Sequence, residues 1–259
     1  LLCQRNFGRI LAMAMKKFDV KLEEMIEAGC HFGHRSERWN PKAAPYIFGI
    51  KDGVHIFDLD KTRLLLIDAM SEIARRASED QKILLVGTKQ QATDIIRKVA
   101  GESGMPYITD RWLGGIFTNF DQMKKSLAKL DKMKKEREAG EYKKFTKREQ
   151  LLIDREIARL TKLFGGIESL QELPHMVVIV DTSREDTALT EARKMGVPIV
   201  GIVDSNADPT LVDFPIPAND DSIKSVEYII GKLGEAIAEG LKNKKVAKPE
   251  EAPTVAVAA

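Results

Sequence analysis

The fold of this chain is decided by three short apolar runs: KILLVG at residues 82–87, MVVIV at 176–180 and PIVGIVD at 198–204. Each run is continuous and rich in branched aliphatic residues, which is typical of a strand buried on both faces of a sheet. Segments with helical periodicity follow the runs, at residues 90–100, 185–195 and 221–242. Strands that alternate with helices in this way predict an α/β fold with a doubly wound, mainly parallel sheet.

Residues 120–164 interrupt this alternation with two helical seams. Apolar residues repeat at spacings of three and four in both halves, whereas the segment Gly140-Glu141-Tyr142 between them lacks this repeat. Narrow seams of this kind predict an inserted antiparallel coiled-coil helical hairpin. We therefore expect four parts: a non-native or unprocessed extension at 1–15, an α/β domain at 16–119 and 165–242, the hairpin at 120–164, and a disordered tail at 243–259.

Charge is divided unevenly along the chain. The 259 residues carry a formal net charge of +2, but residues 120–164 carry +6 and residues 165–259 carry −7. A local excess of positive charge is typical of a surface that binds a polyanion. The chain has only two cysteines and no apolar run near the ~20 residues that a membrane span needs, which excludes a disulfide framework and predicts no membrane partner.

Two segments, 31–42 and 110–120, combine cations with aromatic and amide side chains. Cations neutralise phosphates and flat rings stack on unpaired bases, so the combination favours RNA binding. The alternative is that the tryptophans are packing residues and the arginines only solvate the rim. With two lysines of the hairpin, the candidate RNA-binding residues are Arg35, Arg38, Trp39, Asn40, Lys42, Arg111, Trp112, Asn119, Lys124 and Lys125.

Carboxylates at the predicted strand ends support a second interpretation. Asp181 and Asp204 directly follow two strands, where open α/β sheets commonly bind ligands. With nearby histidines they suggest a structural divalent metal, zinc or magnesium, whose ligands are His31, His34, Asp204 and Asp208. The alternative function is therefore a metal-dependent or nucleotide-binding α/β enzyme, although the sequence has no P-loop or dinucleotide-binding glycine motif and no evident nucleophile.

Several motifs, in this order along the chain, resemble the bacterial-type small-subunit ribosomal protein S2 family. They are EAGCHFGH at 27–34, RWNPK at 38–42, PYIFG at 45–49, RWLGG at 111–115 with TN at 118–119, and PIVGIVDSN at 198–206. The resemblance covers about residues 16–242 and implies an α/β domain with a coiled-coil hairpin. It also implies a structural role without catalysis or a required cofactor, in which the protein supports translation.

The same resemblance implies the partners and the location. The partners would be small-subunit ribosomal RNA, bound between the head and body of the subunit, and other small-subunit ribosomal proteins, including the large mRNA-binding ribosomal protein. The location would be the cytoplasm, in the ribosome, or alternatively an organellar ribosome.

Overall fold

The first part of the structure is a short helix followed by a small antiparallel sheet. This computed structural model describes residues 18–244, so the expectations for residues 1–15 and for residues 245–259 of the tail lie outside the described residues. Helix α1 (Leu22–Ala28) precedes β1 (Phe32–Arg35), β2 (Ile47–Lys51) and β3 (Val54–Phe57). Strand β3 lies between the other two and pairs with both in antiparallel fashion.

Helices and strands then alternate along the rest of the chain. They are α2 (Leu59–Ser78), β4 (Ile83–Val86), α3 (Gln90–Ser103), β5 (Tyr107–Ile108), α4 (Phe120–Glu138), α5 (Lys147–Phe164), β6 (Met176–Val180), α6 (Asp186–Met195), β7 (Ile199–Val203), β8 (Phe214–Pro217) and α7 (Ile223–Lys244). The last helix therefore includes residues 243 and 244, which the sequence interpretation assigned to the disordered tail.

The central sheet has five strands in the order β5-β4-β6-β7-β8, and every neighbouring pair is parallel. Its side chains alternate between two cores: Ile83 and Leu85 of β4 belong to one core, whereas Leu84 and Val86 belong to the other. Residues of α2, α3 and α7 form the first core with the sheet, and residues of α4, α5 and α6 form the second. Because helices cover both faces of the sheet, the sequences of the central strands are continuous apolar runs. The predicted α/β class with a mainly parallel sheet is confirmed.

Helices α4 and α5 run antiparallel to one another. Ion pairs cross between them from Lys129 to Glu156, at 3.6 Å, and from Arg137 to Asp154, at 2.8 Å. Their apolar seam joins the second core through Met123, Leu127, Leu130, Leu160 and Phe164. The division of the chain into a separate hairpin and α/β domain stays a prediction.

Strands β1, β5 and β8 are not among the strands that the sequence predicted. Segment 31–42 contains β1, because Phe32 and Arg35 pair with residues of β3 that lie about twenty positions further along the chain. Strand β8 was not predicted, because its sequence FPIP contains two prolines. Strand β8 lies at the edge of the sheet, so one of its sides pairs with no other strand. A proline that lacks its N–H on that side loses no hydrogen bond between strands.

Within residues 18–244, no helix combines the length and apolar character that crossing a membrane requires.

We predict that Leu130→Asp unfolds the α4–α5 pair and leaves the parallel sheet folded. Leu130 is completely buried in the seam, and a carboxylate there should lower the local free energy of unfolding by about 4 kcal/mol. Hydrogen–deuterium exchange should speed up along α4 and α5 only. Leu152→Asp is the control, because this leucine is 55% exposed on α5. An equal rise in exchange along β6 and β7 would show that the two parts do not fold separately.

Candidate functional site

One buried carboxylate fixes the loop between β5 and α4. Glu191 of α6 accepts hydrogen bonds from the backbone N–H groups of Gly115, at 2.7 Å, Phe117, at 3.0 Å, and Thr118, at 3.2 Å. It also accepts from the Thr118 hydroxyl and from the indole N–H of Trp112. Burial by itself would raise the pKa of Glu191, but the hydrogen bonds from the loop outweigh burial and lower the pKa. The ionised carboxylate therefore holds this loop in one conformation.

Trp112 belongs to the interior of this loop. Its side chain is buried, and its ring packs edge-on against Phe117 with the ring centroids 5.0 Å apart. The ring has no free face on which a base could stack, so the structure favours the packing alternative for Trp112. The other candidates of this segment are exposed around the loop: Arg111, Asn119, Lys124 and Lys125.

The segment from β1 to β2 is attached to the turn that follows β7. A Cβ at Gly33 would lie 3.0 Å from Ser205 Oγ and 3.3 Å from Asp204 Oδ1, so a side chain there would push these neighbours away by a few tenths of an ångström. The backbone N–H of His34 donates to Ser205 Oγ at 2.8 Å, and that of Asn40 donates to the Ser205 carbonyl at 2.7 Å. The candidate cations of this segment therefore lie on a fixed support.

Arg35 and Arg38 are exposed and form no ion pair with another described residue. Trp39 lies beside them, 39% exposed, with one side of its ring stacked on His55 at a centroid distance of 5.1 Å. These three side chains are available to a partner from solution.

The remaining two candidates of this segment already have partners within the chain. The ammonium of Lys42 lies 2.5 Å from Asp208 Oδ2. The side-chain carbonyl of Asn40 accepts from the backbone N–H of Lys42 at 3.0 Å and caps the 3₁₀ helix Pro41–Tyr46. Any contact that they make with RNA competes with these interactions.

Charged side chains meet at the carboxyl edge of the parallel sheet, and we call this group the edge cluster. Lys89 follows β4, Asp181 follows β6, Asp204 follows β7 and Asp220 lies shortly after β8. His34, from β1, lies over the same edge with its Nδ1 atom 2.9 Å from Asp204 Oδ1. This hydrogen bond is the main cause of a raised pKa of His34. One potential ligand atom each from His34, Asp204 and Asp220 lies within 4.8 Å of the other two.

Lys89 is the buried cation of this cluster. Its Nζ atom lies 3.2 Å from Asp181 Oδ2, 2.7 Å from Asp220 Oδ1 and 2.6 Å from Asp221 Oδ1. Burial opposes the charge of Lys89, but the hydrogen bonds to Asp220 and Asp221 outweigh it and raise the pKa of the lysine. Burial, with the neighbouring carboxylates of Asp204 and Asp181, raises the pKa of Asp220 to about 7. One buried lysine is thus paired with three aspartates, and Asp204 lies beside them.

The structure brings together only half of the predicted metal ligands. His34 and Asp204 are adjacent, but His31 contacts the ring of Phe32 and is not part of the cluster. His31 lies in the turn before β1 and lines a pocket with Leu22 and Phe48, whose lining includes none of the clustered carboxylates. Asp208 caps its own 3₁₀ helix, accepting from the N–H of Thr210 at 3.0 Å, besides its ion pair with Lys42.

Sequence reasoning missed Asp220, Lys89 and Glu191. Asp220 had a detectable signal, because it follows an apolar segment as Asp181 and Asp204 do, but the prolines of β8 hid that strand. Glu191 carries no local signal, since its contacts are with residues more than seventy positions away.

We predict that Glu191→Gln lowers the free energy of unfolding at pH 7 by about 2 kcal/mol, because glutamine has one acceptor oxygen and presents an NH₂ group to the donors of the loop. The folded pKa of Glu191 lies below the unfolded value of about 4.3, so the ionised form stabilises the fold above that pH. This stabilisation is lost as the pH falls through the folded pKa. Denaturant unfolding at several pH values should show the difference from wild type shrinking in acid.

Glu185→Gln is the matched control for this prediction. Glu185 is also buried, but burial raises its pKa, so its ionised form does not add to stability in the same way. A Glu185→Gln variant that lost as much stability as Glu191→Gln, with the same dependence on pH, would contradict the special role of Glu191.

The chain was compared with known proteins. The family model described as ribosomal protein S2 matches residues 25–240. The chain is 45% identical to small ribosomal subunit protein uS2 of Roseiflexus sp. (strain RS-1) over 221 residues, or 85% of this chain and 84% of the relative. It is 42% identical to the uS2 protein of Cytophaga hutchinsonii over 231 residues, or 89% and 91% of the two chains. It is 44% identical to the uS2c protein of Cyanophora paradoxa over 225 residues, or 87% and 97%.

The family match extends from α1 to α7 and includes every residue of the loop held by Glu191 and of the edge cluster. The resemblance found in the sequence motifs is thereby confirmed. The family consists of structural ribosomal proteins and not enzymes, so the alternative of a metal-dependent or nucleotide-binding enzyme is not supported. On this evidence the chain belongs to the ribosomal protein S2 family.

Proposed function

We propose that this protein is a structural constituent of the small ribosomal subunit, where it binds small-subunit ribosomal RNA and supports translation. The observation that carries the proposal is a set of exposed cations, without acidic partners among the described residues, on two rigid supports. The turn surface comprises Arg35 and Arg38, which are unpaired within residues 18–244, with Trp39, Asn40 and the Asp208-paired Lys42 beside them. The loop surface comprises Arg111, Asn119, Lys124 and Lys125. The names of the relatives, small ribosomal subunit proteins, agree with this role.

The distribution of ion pairs in the hairpin supports the choice of the loop surface. Much of the hairpin's positive charge is neutralised by neighbouring acids, through the pairs Lys129–Glu156, Lys132–Glu136, Lys134–Glu168, Lys135–Asp131, Arg137–Asp154, Arg159–Glu156 and Lys162–Asp110. Lys124 and Lys125 are in none of these pairs, and neither are Lys143, Lys144, Lys147, Arg148 and Arg155 further along the hairpin. Lys124 lies over the ring of Phe120, 5.0 Å from its centroid. Free charge is therefore available where α4 leaves the loop held by Glu191.

The proposed mechanism is positional. Cations on both surfaces neutralise phosphates, and the half-exposed ring of Trp39 offers one face to an unpaired base. Because Glu191 fixes one support and Ser205 the other, little conformational entropy is lost on binding. The protein can thus hold folded RNA in place without catalysing a reaction.

We also propose the position and partners that the family membership implies. The protein would lie between the head and body of the small subunit, near other ribosomal proteins that include the large mRNA-binding ribosomal protein. The ribosome would be bacterial or organellar, since the relatives include a uS2c form. Crosslinking in cells, followed by identification of the attached RNA and proteins, tests this. Recovery of RNA other than small-subunit ribosomal RNA would overturn the proposal.

We predict that Lys124→Gln with Lys125→Gln weakens binding to small-subunit ribosomal RNA about tenfold at low salt. Each lost phosphate contact also reduces the slope of log K against log salt by about 0.7 to 0.9, so the defect should shrink as salt rises. Filter binding over a salt series measures both effects.

Lys132→Gln with Lys135→Gln is the control for charge alone. It removes the same two charges from the same helix, but these lysines are already paired with Glu136 and Asp131. Equal losses of affinity in the two double variants would mean that only total charge matters and that the loop surface is not the contact.

A second proposal concerns the edge cluster, which we infer binds a structural divalent metal through His34, Asp204 and Asp220. These residues fit a metal ion because Asp220 Oδ2 is a buried oxygen without a hydrogen-bond partner among the described residues. The carboxylates of the edge cluster also outnumber its one lysine, Lys89, which favours a further cation. Small side-chain shifts would place one atom of each ligand at ~2.1 Å from a shared zinc ion, the distance that zinc coordination requires. Such an ion would join β1 to the ends of β7 and β8.

We predict that zinc raises the melting temperature of the wild-type protein and not that of His34→Ala. Zinc at a hundred times its Kd would add about 2.7 kcal/mol to the free energy of unfolding. His31→Ala is the matched control, because this histidine lies outside the cluster, and its response to zinc should equal that of wild type. A full response to zinc in His34→Ala would exclude the site.

A further inference from the structure

A pocket lies where the loop held by Glu191 meets the start of α4 and the end of α5. Its volume is about 190 Å³. Apolar side chains of Leu113, Met123 and Phe164 line it, together with backbone of Gly114 and Gly115. Its remaining lining includes three polar side chains: Asn119, Gln122 and Ser126. The pocket therefore combines apolar surface with groups that can both donate and accept hydrogen bonds.

The chemistry of the lining restricts what the pocket can bind. None of the residues 18–244 places a charged side chain in its lining, so neither a phosphate nor a carboxylate would find a counter-charge there. A nucleobase has flat apolar faces and an edge that carries donors and acceptors, and this matches apolar walls with amide and hydroxyl groups.

The charges outside the pocket indicate a polyanion. Lys124 and Lys125 lie on α4 between Gln122 and Ser126, and both are exposed. Arg111 is exposed at the other end of the same loop. Cations outside a neutral pocket are the arrangement that a nucleotide needs, because its base enters while its phosphates remain at the surface.

The pocket is formed before any ligand binds. The hydrogen bonds from Gly115, Phe117 and Thr118 to Glu191 fix one wall. The packing of Met123 and Phe164 in the second core fixes another. A preformed pocket binds with little loss of conformational entropy.

We propose that this pocket receives one unpaired base of the small-subunit ribosomal RNA. The inference rests on the proposed RNA-binding function and identifies what one part of the loop surface recognises. Asn119 and Gln122 would bond the edge of the base, and Lys124 and Lys125 would contact the phosphates on either side of it.

Gly114→Leu tests the proposal by placing a bulky side chain on a residue that lines the pocket. Gly114 is exposed, has open space where a Cβ would stand, and does not have a left-handed backbone, so the fold accommodates a side chain there. Gly101→Leu is the matched control, since Gly101 on α3 shares these three properties and lies away from the pocket.

The full chain is mixed with transcribed full-length small-subunit ribosomal RNA, and dimethyl sulfate marks the accessible edges of unpaired adenines and cytosines. The chemical probe 1-cyclohexyl-3-(2-morpholinoethyl)carbodiimide does the same for uracils and guanines. We expect wild type and Gly101→Leu to protect one unpaired base that Gly114→Leu protects roughly tenfold more weakly. Protections due to the turn surface should be equal in all three proteins.

The other outcomes decide against the proposal in distinguishable ways. If wild type does not retain the RNA in filter binding, the RNA-binding function itself fails; if it retains the RNA but protects no base, the pocket does not receive one. If Gly114→Leu protects every base as wild type does, the protein binds RNA but the pocket does not. If Gly114→Leu binds RNA normally yet fails to enter subunits assembled from all other components, the pocket takes a protein segment instead. Should Gly114→Leu melt early, Gln122→Ala on the exposed face of α4 replaces it, and full protection by that variant would overturn the inference.

Discussion

The parallel order of β4, β6, β7 and β8 places all their carboxyl ends at one edge of the sheet. Within β4, β6 and β7 every side chain is buried, so charged groups can occur only beyond the strand ends, and there they crowd together. Lys89 satisfies part of the resulting cluster of aspartates. The same edge also supports β1, through the contacts of Gly33 and His34 with the turn after β7. Sheet topology therefore positions the turn surface and the proposed metal ligands together.

The face of the sheet that packs against α4, α5 and α6 positions the loop surface, and here too a buried charged side chain is responsible. Glu191 lies on a helix packed against that face, and its carboxylate is satisfied by N–H groups of the loop instead of by a cation. A lysine in this place would leave the loop donors unpaired. Because the acceptor is contributed by the rigid core, the exposed residues around the loop inherit a fixed arrangement. The conformation of the loop and the proposed RNA recognition therefore both depend on the side chain of Glu191.

The hairpin shows why net charge alone does not locate a binding surface. Residues 120–164 carry an excess of six positive charges, yet many of their lysines and arginines lie beside acids of their own or the neighbouring helix. These pairs are exposed and contribute little to stability, but they reduce the charge that a polyanion would meet. The hairpin cations without an ion pair, which include Lys124 and Lys125 at the base of α4, are therefore the more effective part of that charge.

The sequence by itself determined the features that rest on local patterns. Continuous apolar runs predicted β4, β6 and β7, helical spacings predicted the helices, and ordered motifs indicated the family. Only the tertiary structure decided which side chains meet. In sequence Trp112 is a candidate for stacking, but in the fold it is buried against Phe117. His31 is a candidate ligand in sequence, but in the fold it lies in the turn before β1, away from His34 and Asp204. Lys89, Glu191 and Asp220 act through partners from distant segments, so their roles exist only after folding has brought those segments together.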